Sequence, residues 1–117
     1  MRLQTKRIYE AAARGDGKRI LIDRLWPRGV SKEKAAIDFW AKEAAPSTEL
    51  RKWYQHTPEK WPAFQQRYFA ELEAQPEIVA ELESELASGI NTIVFGSKEL
   101  VQNNATALIL FLESRRR

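Results

Sequence analysis

An α/β fold, with a small and mainly parallel sheet flanked by helices, follows from three features of the 117-residue sequence. Two short apolar runs, Ile20-Leu21-Ile22 and Thr92-Ile93-Val94-Phe95, lack the alternation of a half-wet strand and read as strands covered by helices on both faces. Ser31, Ser47, Thr57-Pro58 and Pro76 between them each mark a helix start. No repeat or linker divides the chain. Residues 1–117 are therefore expected to form a single domain, large enough to bury roughly two-thirds of its unfolded surface.

In chain order, residues 3–9 carry a partial period of two and predict the first strand. Arg14-Gly-Asp-Gly17 supplies a turn, and a compact strand is expected from Arg19 to about Leu25. Pro27 cannot donate to a ladder, so residues 26–30 are expected to loop. Ser31 with Glu33 in the first turn predicts a short helix over 32–37, whereas 38–45 is ambiguous between strand and helix. Leu50, Trp53 and Tyr54 fall at helical spacing after Ser47. A longer helix carries Trp61, Phe64, Tyr68 and Leu72 to about Ala74, its regular part expected nearer Trp61 because Pro62 sits one turn in. A third runs from Pro76 with Ile78, Val79, Leu82 and Leu86 on its apolar face, and Gly89 is its natural stop. Gly96-Ser97-Lys98 turns the chain into a last helix over about 103–113, and residues 115–117 are expected to fray.

Composition narrows the chemistry. There is no cysteine and a single histidine, His56, which excludes disulfides, thiol catalysis, Cys-ligated zinc and any two-histidine mechanism. The longest apolar run, 105–112, is interrupted by Thr106 and too short to span a bilayer. Residues 1–10 mix charged and apolar side chains unlike a secretory leader, so a cytoplasmic setting without membrane contact is the expectation. Charge is uneven: residues 1–67 hold 15 Lys and Arg against 8 Asp and Glu, whereas 68–112 hold one Lys against seven Glu. A basic front half points to an anionic partner, either a phosphorylated small molecule or nucleotide, or nucleic acid.

Ligands of open parallel sheets sit beyond the carboxyl ends of the strands. Asp23-Arg24-Leu25-Trp26-Pro27-Arg28-Gly29 and Gly96-Ser97-Lys98-Glu99 occupy that position if their strands are parallel and central. Arg24, Arg28 and Lys98 would then hold phosphate or carboxylate, with Asn103 and Asn104 adding amides at the start of the last helix. Trp26, between two arginines, offers a stacking surface, and Tyr54 a second. His56 and Asp23 are the candidates for proton transfer, since imidazole exchanges a proton near neutral pH. The phosphate loop G-x-x-x-x-G-K-[ST] is absent and Arg14–Lys18 is a turn rather than a dinucleotide fingerprint, so no cofactor and no metal is expected.

Arg24-Leu25-Trp26-Pro27-Arg28-Gly29, Lys52-Trp53-Tyr54-Gln55-His56, Lys60-Trp61-Pro62-Ala63-Phe64, Arg67-Tyr68 and the stretch from Thr92 to Lys98 ending at Asn103-Asn104-Ala105 resemble the YeaO-like branch of a bacterial and archaeal domain-of-unknown-function family, DUF488. The resemblance spans about residues 6–112 and implies one α/β domain with no established activity; Glu99 stands where it leads one to expect Asp. Three readings follow: a pocket for a phosphorylated or nucleotide-like ligand, a nucleic-acid-binding module built on the Trp-rich basic half, and a protein-interaction domain. Oligomeric state has no signal in the sequence.

Overall fold

The structure, a computed structural model, describes residues 1–116. Four strands, β1 (Arg2–Arg7), β2 (Lys18–Leu21), β3 (Phe39–Trp40) and β4 (Ile90–Phe95), form one sheet in the order β1-β4-β2-β3. Every pairing is parallel: β1 on β4 from Arg2↔Ile90 to Arg7↔Phe95, β2 on β4 from Lys18↔Asn91 to Leu21↔Val94, and β3 on β2 at Phe39 and Trp40. The helices are α1 (Lys32–Ala35), α2 (Thr48–Tyr54), α3 (Trp61–Glu73), α4 (Pro76–Glu85) and α5 (Asn104–Arg115). The α/β expectation is met, and the ambiguous 38–45 segment resolves into β3 followed by a single 3-10 turn, Lys42–Ala44.

Local chemistry sets the boundaries, including those that differ from the sequence reading. Ser31 and Ser47 cap α1 and α2 by accepting from the Lys34 and Leu50 N–H groups. Helix α1 stops after four residues because Ala36 turns left-handed, φ 49°. Thr57 makes no capping bond with its side chain, and Pro58–Lys60 is a 3-10 turn. The reason is Pro62, which has no N–H to give the Pro58 carbonyl, so the α-helix starts only at Trp61. Helix α4 ends at Glu85, short of Gly89, and the buried Asn91 side chain ties the connector by bonding both the N–H and the carbonyl of Ala87 at 2.7 and 2.9 Å. Strand β2 is shorter than expected, since Asp23 leaves the ladder one residue after Ile22 N–H bonds Val94 O. Arg115 is not frayed: it closes α5 and places Nε and Nη2 each 3.1 Å from the Glu83 carboxylate. Arg117 lies outside the described residues.

The alternation of the strands divides the interior in two. Ile20, Ile22, Ile93 and Phe95 face the main core with residues of α2 to α5, among them Leu50, Phe64, Tyr68, Leu72, Leu82, Leu108 and Leu112. Leu21 and Val94 face the other side with Ile8 and Ala35, against which Trp26 and Trp40 pack. Helices were expected on both faces of these strands, but four of the five gather on one. The far end of the second face is sealed instead by the turn Arg14–Asp16 and a polar network. Asp16 holds Lys6 Nζ at 2.8 Å, Arg19 Nη1 at 2.6 Å and Ala13 N–H at 3.0 Å, while the Asp16 carbonyl accepts from Thr92 Oγ1. Gly17, at φ 62°, is required there: a Cβ would stand 2.1 Å from the Ile90 carbonyl oxygen.

Tyr68, fully buried in the main core, donates its hydroxyl to Ala44 O at 2.6 Å, and burial pushes the phenol well above its ordinary pKa. Tyr68→Phe leaves that carbonyl without its partner in an apolar surrounding and is expected to cost about 1–3 kcal/mol. Urea unfolding of the two proteins measures it, and an unchanged midpoint would contradict the assignment.

Candidate functional site

Because β2 and β4 run parallel side by side, the loops that follow them leave the same edge of the sheet. Asp23 locks them together. Its Oδ2 accepts the Gly96 N–H at 2.8 Å, its Oδ1 accepts Asn104 Nδ2 at 3.1 Å, and its carbonyl accepts Trp40 Nε1 at 2.6 Å. The approach needs glycine at position 96, where a Cβ would meet Asp23 Oδ2 at 2.8 Å. Burial raises the Asp23 carboxyl above its ordinary pKa, outweighing the bonds from Asn104 and Gly96 and the charge of Arg51.

The end of β1 builds a second wall. Arg7 Nε donates to Ser97 O at 2.9 Å, its guanidinium lies 4.4 Å from the Tyr9 ring, and Tyr9 Oη donates to Arg28 O at 2.9 Å. The third wall is α2. Thr48, Arg51, Lys52 and Gln55 recur at i, i+3, i+4 and i+7, while Leu50 and Tyr54 are the buried residues of the helix, Tyr54 still reaching the cleft lining. Past α2 the chain turns through two left-handed residues, Gln55 (φ 47°) and His56 (φ 52°), a conformation that costs non-glycine residues about 1–3 kcal/mol each. That turn sets His56 Nε2 3.4 Å from Ser97 Oγ and the imidazole 5.4 Å from the Tyr54 ring.

These walls enclose a cleft of about 720 Å³, within the size of small-molecule sites. Of the residues expected at the site, Asp23, Trp26, Arg28, Tyr54, His56 and Asn104 line it together. Three do not. Arg24 has its guanidinium on the carbonyls of Ala45 and Pro46, at 2.7 and 3.2 Å, and serves to join the loop to the segment before α2. Lys98 is exposed outside the lining. Asn103 is fully buried as the cap of α5, accepting from Thr106 N–H and donating to Glu99 O. Tyr9, Thr48, Arg51, Lys52, Gln55 and Ser97 were not picked out from the sequence. The 48-51-52-55 spacing is a readable signal for four of them, since it places four polar side chains on one face of α2; Tyr9 had none.

Arg28, Arg51 and Lys52 are exposed, and none takes part in an ion pair among the described residues. Among the described residues Asp23 is the one carboxylate in the lining. Trp26, Tyr54 and Phe64 add apolar rings. Asp23 and His56 share the lining with no hydrogen bond between them among the described residues. Glu99 instead closes its own loop: the N–H groups of Val101 and Gln102, at 2.6 and 2.9 Å, hold its carboxyl below the ordinary range.

A parallel α/β sheet with a cationic, aromatic-walled cleft at its carboxyl edge is thus the class of molecule. The chain belongs to the family described as the inactive DUF488-N3 subclade, which it matches over residues 2–117. It is 42% identical over 115 residues to the uncharacterized protein YeaO of Escherichia coli (strain K12), covering 97% of this chain and 99% of that one. It is 36% identical over 114 residues to the uncharacterized proteins Rv3073c of Mycobacterium tuberculosis (strain ATCC 25618 / H37Rv) and Mb3100c of Mycobacterium bovis (strain ATCC BAA-935 / AF2122/97), covering 97% of this chain and 96% of each. The YeaO-like resemblance drawn from the sequence is therefore met. No solved structure matches the chain. Among the described residues no helix is long and apolar enough to cross a membrane.

Proposed function

We propose that this protein is a cytoplasmic binding domain for a phosphorylated or nucleotide-like small molecule, held in the cleft beyond β2 and β4. The observation that carries the reading is the presence of three cations, Arg28, Arg51 and Lys52, without an ion-pair partner among the described residues, around one aromatic-walled cavity of about 720 Å³. Unpaired guanidinium groups are suited to bidentate contact with phosphate, and the ammonium adds a point charge. Binding is favoured over catalysis because the two proton-transfer candidates, Asp23 and His56, share no hydrogen bond among the described residues, and the family's description as inactive agrees with that.

The nucleic-acid reading draws less support. Lys6, Lys18 and Arg19 of the basic half are already paired with carboxylates, and Arg24 is engaged by carbonyls. Trp53 carries Arg67 and Lys60 over its ring, at 4.0 and 4.9 Å, so it is not a bare stacking platform.

Calorimetric titration with mononucleotides and a short single-stranded oligonucleotide, each at two salt concentrations, tests the proposal. The expected result is mononucleotide binding weakened about 10–100-fold by Arg28→Ala with Arg51→Ala. Lys98→Ala, outside the lining, should leave it unchanged. Binding of the oligonucleotide alone, falling steeply with salt, would transfer the conclusion to nucleic acid. Equal binding by the double variant would remove the cleft from the explanation.

A further inference from the structure

We infer that the molecule taken by the cleft is a phosphorylated ribose, a ribonucleotide by preference, with its hydroxyls directed to the floor at Asp23 and Asn104 and its phosphate kept at the rim. The inference rests on the anion-binding reading above and deepens it by naming the ligand class.

At the floor, both amide protons of Asn104 are engaged, one by Ile22 O at 2.6 Å and one by Asp23 Oδ1 at 3.1 Å. Its carbonyl oxygen has no partner among the described residues. Each Asp23 carboxylate oxygen takes a single hydrogen bond, from Asn104 or from the Gly96 N–H, and retains accepting capacity. The half-buried end of the cleft therefore presents acceptors without free protons. A phosphate placed there would face a carboxylate; a pair of hydroxyls would satisfy it. At the rim the balance is reversed, since Arg28, Arg51 and Lys52 are exposed donors with no ion-pair partner among the described residues.

The aromatic walls add a third constraint. Tyr9 Oη gives its proton to Arg28 O, Trp26 Nε1 to Val30 O at 2.7 Å, and Tyr54 Oη to Gln102 O at 2.9 Å. With those protons committed, Tyr54 buried at 3% exposure against Phe64 and Tyr9 covered by the Arg7 guanidinium, the half-buried Trp26 is the ring that keeps surface for a planar base. Hydroxyl donors at one end, an anion at the other and a flat ring against Trp26 are together the features of a ribonucleotide.

The full-length protein is titrated with adenosine 5′-monophosphate, its 2′,3′-dideoxy analogue and inorganic phosphate, with affinity read by calorimetry and position by the Asn104 side-chain amide and Trp26 indole resonances. The ribonucleotide is expected to bind about tenfold or more tightly than the dideoxy analogue, which leaves the floor acceptors unpaired. The Asn104 amide should shift with the ribonucleotide and not with the analogue. Equal affinities, or a preference without any Asn104 shift, would overturn the ribose assignment while the anion-binding reading stands. Failure of all three to bind would overturn both.

Discussion

Asp16→Ala is expected to lower the unfolding free energy by about 3–5 kcal/mol, a large share of what a domain of this size possesses. The carboxylate is 3% exposed and meets two cations. One of these, Arg19, is 4% exposed, and its Nη2 already has no hydrogen-bond partner among the described residues. Removing Asp16 orphans Nη1 as well, leaving a buried guanidinium with only its Nε bond to Ala35 O. The turn that seals this face would lose its tie to Ala13 too. Because the cost arises from an uncompensated charge, Asp16→Ala with Arg19→Met should be less destabilised than Asp16→Ala alone. Denaturant unfolding of both variants decides it, and a double variant no better than the single one would refute the argument.

The same residue gives the fold an acid-sensitive component of definite sign. Burial raises the Asp16 carboxyl, but hydrogen bonds from Lys6, Ala13 and Arg19 outweigh it and hold the folded pKa below the ordinary 3.8. A depressed folded pKa means that this stabilisation is fully present above 3.8 and is lost as pH falls through the folded value. Asp23 works in the opposite direction, since burial raises its folded pKa and protonation then favours the folded state. Asp16→Ala should therefore lose less stability than the parent protein as pH falls below 3.8, read from denaturant unfolding at a series of pH values.

How far the sequence reveals this molecule depends on the range of the interactions involved. The apolar runs of β2 and β4, the caps at Ser31 and Ser47 and the aromatic spacing of α3 are legible because each rests on residues a few positions apart. Six of nine expected site residues line the cleft for a related reason: two apolar strands, once parallel, must deliver their following loops to one edge. Arg24, Lys98 and Asn103 show where that reasoning stops. Position along a loop does not say which side chain is recruited by a carbonyl twenty-odd residues away, as Arg24 is by Ala45 and Pro46. Nor does it reveal that Asp16 and Thr92, 76 residues apart, close a polar seal in place of a second helical layer. Tyr9 reaches the cleft through its bond to Arg28 O, a contact with no periodic trace.

Phe64→Ala is expected to cost about 3–5 kcal/mol and to weaken cleft binding at the same time. Phe64 is 2% exposed and is the hub of the aromatic cluster, with ring centroids 4.3 Å from Tyr54, 5.8 Å from Trp61 and 6.1 Å from Tyr68. It also lines the cleft, so truncation opens a void between the main core and the site. Tyr54 would lose its stacked neighbour next to the left-handed Gln55-His56 turn, whose strained backbone relies on surrounding packing to persist. Relaxation of that turn would move His56 from Ser97 and shift Arg51 and Lys52 at the end of α2. Phe64→Leu keeps most of the volume and should lose much less stability. Thermal unfolding and mononucleotide titration on the two variants separate the contributions. A Phe64→Ala protein that is destabilised yet binds as the parent does would mean that the cluster supports the core alone. Loss of both together ties the cationic wall of the cleft to the same ring stack that holds α2 on α3.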